Sequence, residues 1–151
     1  MYEKNYIMLI LTFSISIFFL FGCSTEKEDM KKNFGFEKSQ KIEISTTENP
    51  ELILKVIDDK NNVNEFVNKL KVDKWSIEDA PPNLTKEYLY NIYQKDTVRL
   101  KEANTDKKER KQVATIITYK NSPYIEFKTN KLNFNFKVPK DVAGYLSNNN
   151  N

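Results

Sequence analysis

The sequence predicts an α+β fold, an antiparallel β-meander sheet with one amphipathic helix packed on a face and a short C-terminal helix. Two observations indicate this class. A run of strand-like segments separated by short polar links fills the second half of the chain, and one stretch before it has helical periodicity. We assign residues 41–146 to a single globular domain, since one domain is usual for a chain of this length.

The domain is expected to begin with two strands and a helix. Residues 41–45 alternate polar and apolar side chains, whereas residues 51–57 predict a central strand because both of their faces are apolar. Apolar residues then follow at the helical spacing i, i+3, i+4 and i+7: Val63, Phe66, Val67 and Leu70. Asn62 with Glu65 three residues later resembles a capping box, so we expect the helix to begin at Asn62 and to end near Val72.

The predicted helix start is also rich in oxygen ligands. Asp58 and Asp59 precede Asn61, Asn62 and Asn64, and hard cations bind such groups. The glycine and the glutamate that an EF-hand loop needs are missing. Acids at a helix N-terminus interact favourably with the helix dipole. We therefore favour helix capping over a cation site and expect no metal.

Strands dominate the rest of the domain. A brief strand at 75–77 precedes Pro81 and Pro82, which fix a turn. The later strand-like segments are 87–94, with 97–101 as an extension, 113–120, 124–128 and 132–138. A short helix should follow Pro139. We expect Phe66 of the first helix and Phe134 of the last strand to face the same core.

Strand alternation divides the tyrosines of segment 87–94. Tyr88 and Tyr90 share a face with Ile92, and Tyr93 shares the other face with Leu89. We assign Tyr88 and Tyr90 to the core and Tyr93 to an open face, where aromatic residues could bind a sugar or a peptide. The alternative is that these aromatic residues only fill cross-strand pairs in a small sheet.

The N-terminus carries an apolar run that ends at the only cysteine, Cys23. The run spans about sixteen residues, short for a membrane crossing of about 20 and typical of a signal-peptide core. The ending Leu-Phe-Gly-Cys resembles a lipobox, with cleavage between Gly22 and Cys23. It predicts a signal peptide at residues 1–22, and a diacylglyceryl group on Cys23 whose two acyl chains would anchor the protein stably.

Two alternatives to the lipobox remain. An uncleaved signal anchor would leave Cys23 as an idle thiol, and a plain secretory signal would fit Leu20 badly at its small-residue position. The lipobox places the protein at the extracytoplasmic face of a bacterial cell membrane. Residues 23–40 are polar and predict a flexible tether, and residues 147–151 predict a disordered tail.

The order of elements resembles the YhfM-like domain, found on small lipoproteins of Gram-positive spore formers. The matching stretch runs from about residue 53 to residue 146 and includes Val-Asn-Glu-Phe-Val at 63–67 and Val-Pro at 138–139. The resemblance implies the fold and the membrane address. It implies no catalytic residue.

The composition argues against several kinds of chemistry. The chain has no histidine, its one cysteine is assigned to lipid, and none of its three glycines forms a phosphate-binding loop. We therefore expect no cofactor and no catalytic residue of a recognisable class. Lys+Arg number 24 against 21 Asp+Glu, a formal charge of +3, and with an address outside the membrane we expect no nucleic acid as partner.

One basic run lies between two predicted strands and contains Lys107, Lys108, Arg110 and Lys111. It could contact anionic lipid, at about 1 kcal/mol per basic residue, or an anionic wall polymer. The alternative is a solvated hairpin with mixed charges. Together with Tyr93, these residues form the binding surface that we predict.

The sequence therefore favours a non-enzymatic, lipid-anchored binding domain whose partner is an envelope protein or another envelope component. The alternative is an envelope enzyme or enzyme inhibitor that uses carboxylates or tyrosines without a recognisable motif.

Overall fold

The computed structural model describes residues 34–95 and 110–148, which form one antiparallel sheet with two helices. The predicted α+β class is confirmed. The strands are β1 (Lys41–Thr46), β2 (Ile53–Ile57), β3 (Ser76–Ile77), β4 (Lys86–Lys95), β5 (Arg110–Tyr119), β6 (Tyr124–Thr129) and β7 (Asn133–Lys137). The helices are α1 (Lys60–Lys69) and α2 (Lys140–Asn148).

The strand order in the sheet is β2-β1-β4-β5-β6-β7-β3, and every neighbouring pair is antiparallel. Strands β4 to β7 form the predicted meander. The β1–β2 hairpin extends the sheet beside β4, and the two-residue β3 extends it beside β7. The described sheet therefore ends at β2 on one side and at β3 on the other.

Both helices pack on one face of the sheet and enclose the core there. The buried residues of α1 are Val63, Phe66 and Val67, and those of α2 are Val142 and Leu146. They meet inward-facing side chains of the strands, among them Ile44, Tyr90, Ile116, Phe127 and Phe136. Phe66 stacks on Tyr90 at 5.7 Å between ring centroids. Phe134 packs against the same core from β7 as a half-buried residue, as expected.

The N-cap of helix α1 lies three residues upstream of the predicted cap, Asn62. Its N-cap is Asp59, whose carboxylate accepts hydrogen bonds from the backbone N–H groups of Asn61 and Asn62 at 2.9 and 3.1 Å. A charged cap three residues upstream adds nearly a turn of helix, so the capping box predicted at Asn62 is wrong. The helix ends at Lys69, and Val72 lies in a separate 3-10 turn.

The predicted position of β2 is also wrong. The strand lies at the edge of the described sheet and pairs with β1 alone. Its composition is that of a central strand, yet Leu54 is 44% exposed and Val56 is 49% exposed. Residue type indicates that both faces of a strand can be buried, but the neighbours of the strand are set by the topology of the whole sheet.

The tether predicted for residues 23–40 is corrected from residue 34 onward. Phe36 is buried at 2% exposure and lies 5.6 Å from Phe127 and 6.0 Å from Trp75 between ring centroids. Gly35, with a φ of 68°, accepts a hydrogen bond from the Gln94 side chain at 2.6 Å. Two phenylalanines in a polar stretch suffice to fix it on the core because each buries a large apolar area.

The predicted C-terminal tail is shortened, because α2 continues to Asn148. The predicted strand extension at 97–101 lies outside the described residues. Among the helices of the described ranges, none combines the length and the apolar character needed to cross a membrane.

Candidate functional site

The second face of the sheet, which we name the open face, lies opposite α1 and α2. The buried residues of both helices belong to the core on the other face. Cross-strand pairing defines one row of the open face as Ser45, Leu89, Ile117, Glu126 and Asn135. A parallel row contains Val56, Glu43, Asn91, Thr115, Lys128 and Asn133. Most of the side chains on this face are polar or aromatic.

Three arrangements on the open face each combine a tyrosine, a glutamate and a lysine, and we name them the Tyr–Glu–Lys clusters. In the first, the Tyr93 hydroxyl donates to Glu43 Oε2 at 2.6 Å, and Lys41 Nζ lies 2.7 Å from Glu43 Oε1. The ammonium group of Lys41 also lies 4.3 Å from the centre of the Tyr93 ring. These contacts fix the position of the ring.

The first cluster perturbs both of its acidic groups. Burial would raise the pKa of Glu43, but hydrogen bonds from Lys41 and Tyr93 outweigh it and lower the pKa. Burial and the hydrogen bond to Glu43 raise the pKa of Tyr93 to about 12. The carboxylate is therefore ionised and the phenol is protonated across the physiological range.

The second cluster is centred on Glu126, which is 6% exposed. Its carboxylate lies 2.6 Å from Lys86 Nζ and 3.1 Å from Lys128 Nζ, and it accepts a hydrogen bond from Asn133 at 2.9 Å. Burial would raise the pKa of Glu126, but these three partners outweigh it and hold the pKa at about 2. Burial and then the charge of Glu126 raise the pKa of Tyr119. A buried carboxylate is tolerated here because it is fully paired.

The third cluster lies at the β3 end of the sheet. The Tyr124 hydroxyl donates to Glu78 Oε1 at 2.6 Å, and Lys137 Nζ donates to the same oxygen at 3.2 Å. The hydrogen bond from Tyr124, and then the one from Lys137, lowers the pKa of Glu78. All three clusters thus hold a glutamate in its ionised form, and the first and third also fix the orientation of a tyrosine ring.

Beside the first cluster, the β2 end of the open face is apolar. Val56 pairs with Glu43, and Ile53 pairs with Ser45 across a β-bulge. Leu52, Ile53, Leu54 and Val56 are four of the six large apolar side chains that are exposed within residues 34–95 and 110–148. We name these four residues the β2 strip. The open face therefore combines an exposed apolar edge with a surface of fixed polar and aromatic groups, as protein interfaces do.

The tyrosines of β4 lie on two different faces of the sheet. Tyr93 lies on the open face as a half-buried residue, and Tyr90 is fully buried in the core, as alternation predicted. Tyr88 is half-buried against the same core. The alternation therefore predicted these faces correctly, and Tyr93 lies on the face that we predicted for it. Its binding role stays a prediction.

Of the predicted basic residues, the structure describes Arg110 and Lys111, and neither of these two pairs with Tyr93. Arg110 lies opposite Lys95 in the β4–β5 ladder and lines a groove of about 280 Å³ with Lys38 and Lys60. Since Lys60 opens α1, this groove lies towards the helices, away from the open face. Lys111 pairs with Gln94.

Cys23, Lys107 and Lys108 lie outside the described residues. Within those residues, sequence reasoning missed the glutamates of the three clusters and the exposure of the β2 strip. The glutamates contact partners up to 59 positions away in the chain, and local patterns carry no signal of such pairing. The apolar character of β2 indicated burial, and nothing local in the sequence indicated that the strand lies at an edge.

The chain matches no protein-family model, no curated protein and no solved structure. The resemblance to YhfM-like domains therefore stays a prediction, and function has to be inferred from the residues and their geometry.

Proposed function

We propose that this chain is a lipid-anchored, non-enzymatic domain at the extracytoplasmic face of a bacterial cell membrane, and that it binds a protein or another envelope component through the open face. The lipobox at Cys23 and the resemblance to the YhfM-like domain of Gram-positive lipoproteins support the address. The observation that carries the binding role is the open face, which has the exposed β2 strip beside the first Tyr–Glu–Lys cluster and the other two clusters further along the sheet.

The clusters suit binding because their side chains are already ordered. Immobilising a long side chain at an interface costs about 0.5–1.5 kcal/mol, and this cost is lower when intramolecular contacts already fix the group. Tyr93 and Tyr124 are each held by a hydroxyl hydrogen bond at one end and by a lysine over the ring. Tyrosine is also enriched in interfaces.

The same contacts favour binding over hydrolytic catalysis. A general acid at neutral pH needs a carboxyl group with a raised pKa. The pKa values of Glu43, Glu78 and Glu126 are all lowered, because lysines and other donors stabilise their ionised forms. These carboxylates therefore organise the surface.

Site-specific photo-crosslinking tests the proposal. A benzophenone amino acid is placed at Val56 or Tyr93 in the full-length chain, expressed in its own host, and membranes are irradiated. We expect adducts with the same envelope component from both positions. Asn68, exposed on α1, is the control position and should not give this adduct.

Adducts that are identical at all three positions would show that the open face is not selective. Irradiation that gives no adduct from either open-face position would contradict the binding role.

A further inference from the structure

We infer that the outer edge of β2 takes up an extended segment of a partner protein as an additional strand, and that this segment has apolar side chains and basic residues at its ends. The inference rests on the proposed function, since it names the chemistry of the partner.

The composition of β2 does not match its position at the edge of the described sheet. Its five residues, Ile-Leu-Lys-Val-Ile, are those of a strand with neighbours on both sides. Edge strands are usually short, charged or interrupted by proline, because they otherwise pair with other chains. At the opposite edge β3 has only two residues and follows this rule. Strand β2 is longer and carries a single charge, at Lys55.

Strand β2 presents both a backbone edge and apolar side chains to a partner. Strand β2 pairs with β1 on one side, and no strand of the described ranges adjoins its other side. A peptide added there would form main-chain hydrogen bonds, and the β2 strip would contact its alternate side chains. Ile53, Leu54 and Val56 are between 38% and 49% exposed, so apolar area remains to be buried.

The acidic residues at the two ends of β2 determine which partner segment fits this edge. Glu48 and Glu51 precede the strand, and Asp58 and Asp59 follow it. All four are exposed, and none forms a salt bridge within the structurally described part of the chain. A second copy of the chain would bring acids against acids at both ends of the paired strands, which is destabilising. A partner segment with lysine or arginine at its ends complements them.

The test uses full-length protein in nanodiscs of zwitterionic lipid, with empty nanodiscs as the blank. The probe is a fluorescein-labelled peptide, Lys-Lys-Val-Thr-Ile-Thr-Val-Lys-Lys, and the matched probe has glutamate in place of every lysine. Fluorescence anisotropy should show at least about tenfold tighter binding of the basic peptide. Hydrogen exchange should slow at the amides of β2.

Neutral substitutions separate strand addition from charge attraction. Leu54→Asn and Val56→Asn should each weaken binding of the basic peptide at least about tenfold, as loss of a buried apolar contact does. Ile77→Asn is the control, because Ile77 is an exposed apolar residue on the opposite edge at 72% exposure. It should leave binding unchanged. Circular dichroism confirms that each variant is folded.

Three results would overturn the inference: no binding of the basic peptide, protection of amides elsewhere than β2, or equal losses from Leu54→Asn and Ile77→Asn. Self-association of the protein without peptide would also overturn it, since the occupant would be a second copy. Should the peptide fail while crosslinks from Val56 and Tyr93 persist, the binding role stands and strand addition is wrong.

Discussion

Replacing Phe36 by alanine tests whether residues 34–40 belong to the folded domain. The Phe36 ring is 2% exposed and lies between Phe34, Trp75 and Phe127, with centroid distances of 6.2, 6.0 and 5.6 Å. Removing a buried phenylalanine ring costs about 3–5 kcal/mol. A domain of this size has about 5–15 kcal/mol of unfolding free energy in total. The variant should therefore lose about a fifth or more of the stability of the domain.

Urea unfolding of the chain that starts at residue 24 measures this loss. Trp75 is the only tryptophan and is buried beside Phe36, so its fluorescence reports the transition. We expect the midpoint of Phe36→Ala to fall with little change in the m-value. Glu37→Ala changes the exposed neighbouring residue and serves as the control, with an expected change within about 0.5 kcal/mol.

A loss below about 1 kcal/mol for Phe36→Ala would refute this reasoning, because it is far less than a buried ring contributes. Residues 34–40 would then behave as part of the tether, as the polar composition of the segment suggested.

Three further predictions concern the core and the open face. Phe66→Ala should lower the free energy of unfolding by about 3–5 kcal/mol, and Phe134→Ala should lower it by less because Phe134 is half-buried. Melting temperatures of both variants close to that of the wild type would contradict this prediction. The folded-state pKa of Glu126 is lowered to about 2, so its stabilisation is complete above the unfolded-state value and is lost as the pH falls from about 4.5 towards 2. The loss of unfolding free energy is on the order of 2 kcal/mol, less than the pKa shift alone gives because solvent screens the exposed Lys86. Urea titrations at several pH values should show this loss in the wild type. The same pH dependence in Glu126→Gln would exclude Glu126 as its source. Tyr93→Phe removes the hydroxyl that binds Glu43 and should cost about 0.5–1.5 kcal/mol, whereas a stabilised variant would show that this bond contributes nothing.

Much of the fold follows from local patterns. Alternation along β4 and β7 places Tyr90 and Phe136 in the core, and helical spacing gives the buried face of α1. These features depend on residues close in sequence. The N-cap was missed because Asp59 and Asn62 are both good caps, and the sequence does not show which one precedes the first turn.

The order of strands and the partners of side chains need information that is not local. The composition of β2 gave no indication that it lies at an edge, since β1 pairs with β4 after a crossover past α1. Polarity of residues 24–40 suggested a tether, yet the rings of Phe34 and Phe36 pack residues 34–40 on the core. On the open face, Tyr93 was predictable from alternation, whereas its contact with Glu43 depends on the register between β1 and β4.

The proposed lipid anchor depends on Cys23, and mass spectrometry of the protein isolated from membranes of its own host tests it. We expect the N-terminal peptide to begin at Cys23 and to carry a diacylglyceryl group, and we expect Cys23→Ala to abolish membrane retention while the domain stays folded. A chain that begins at Met1 with an unmodified Cys23, or a Cys23→Ala variant that still fractionates fully with membranes, would contradict the lipid anchor and make a signal anchor the better account.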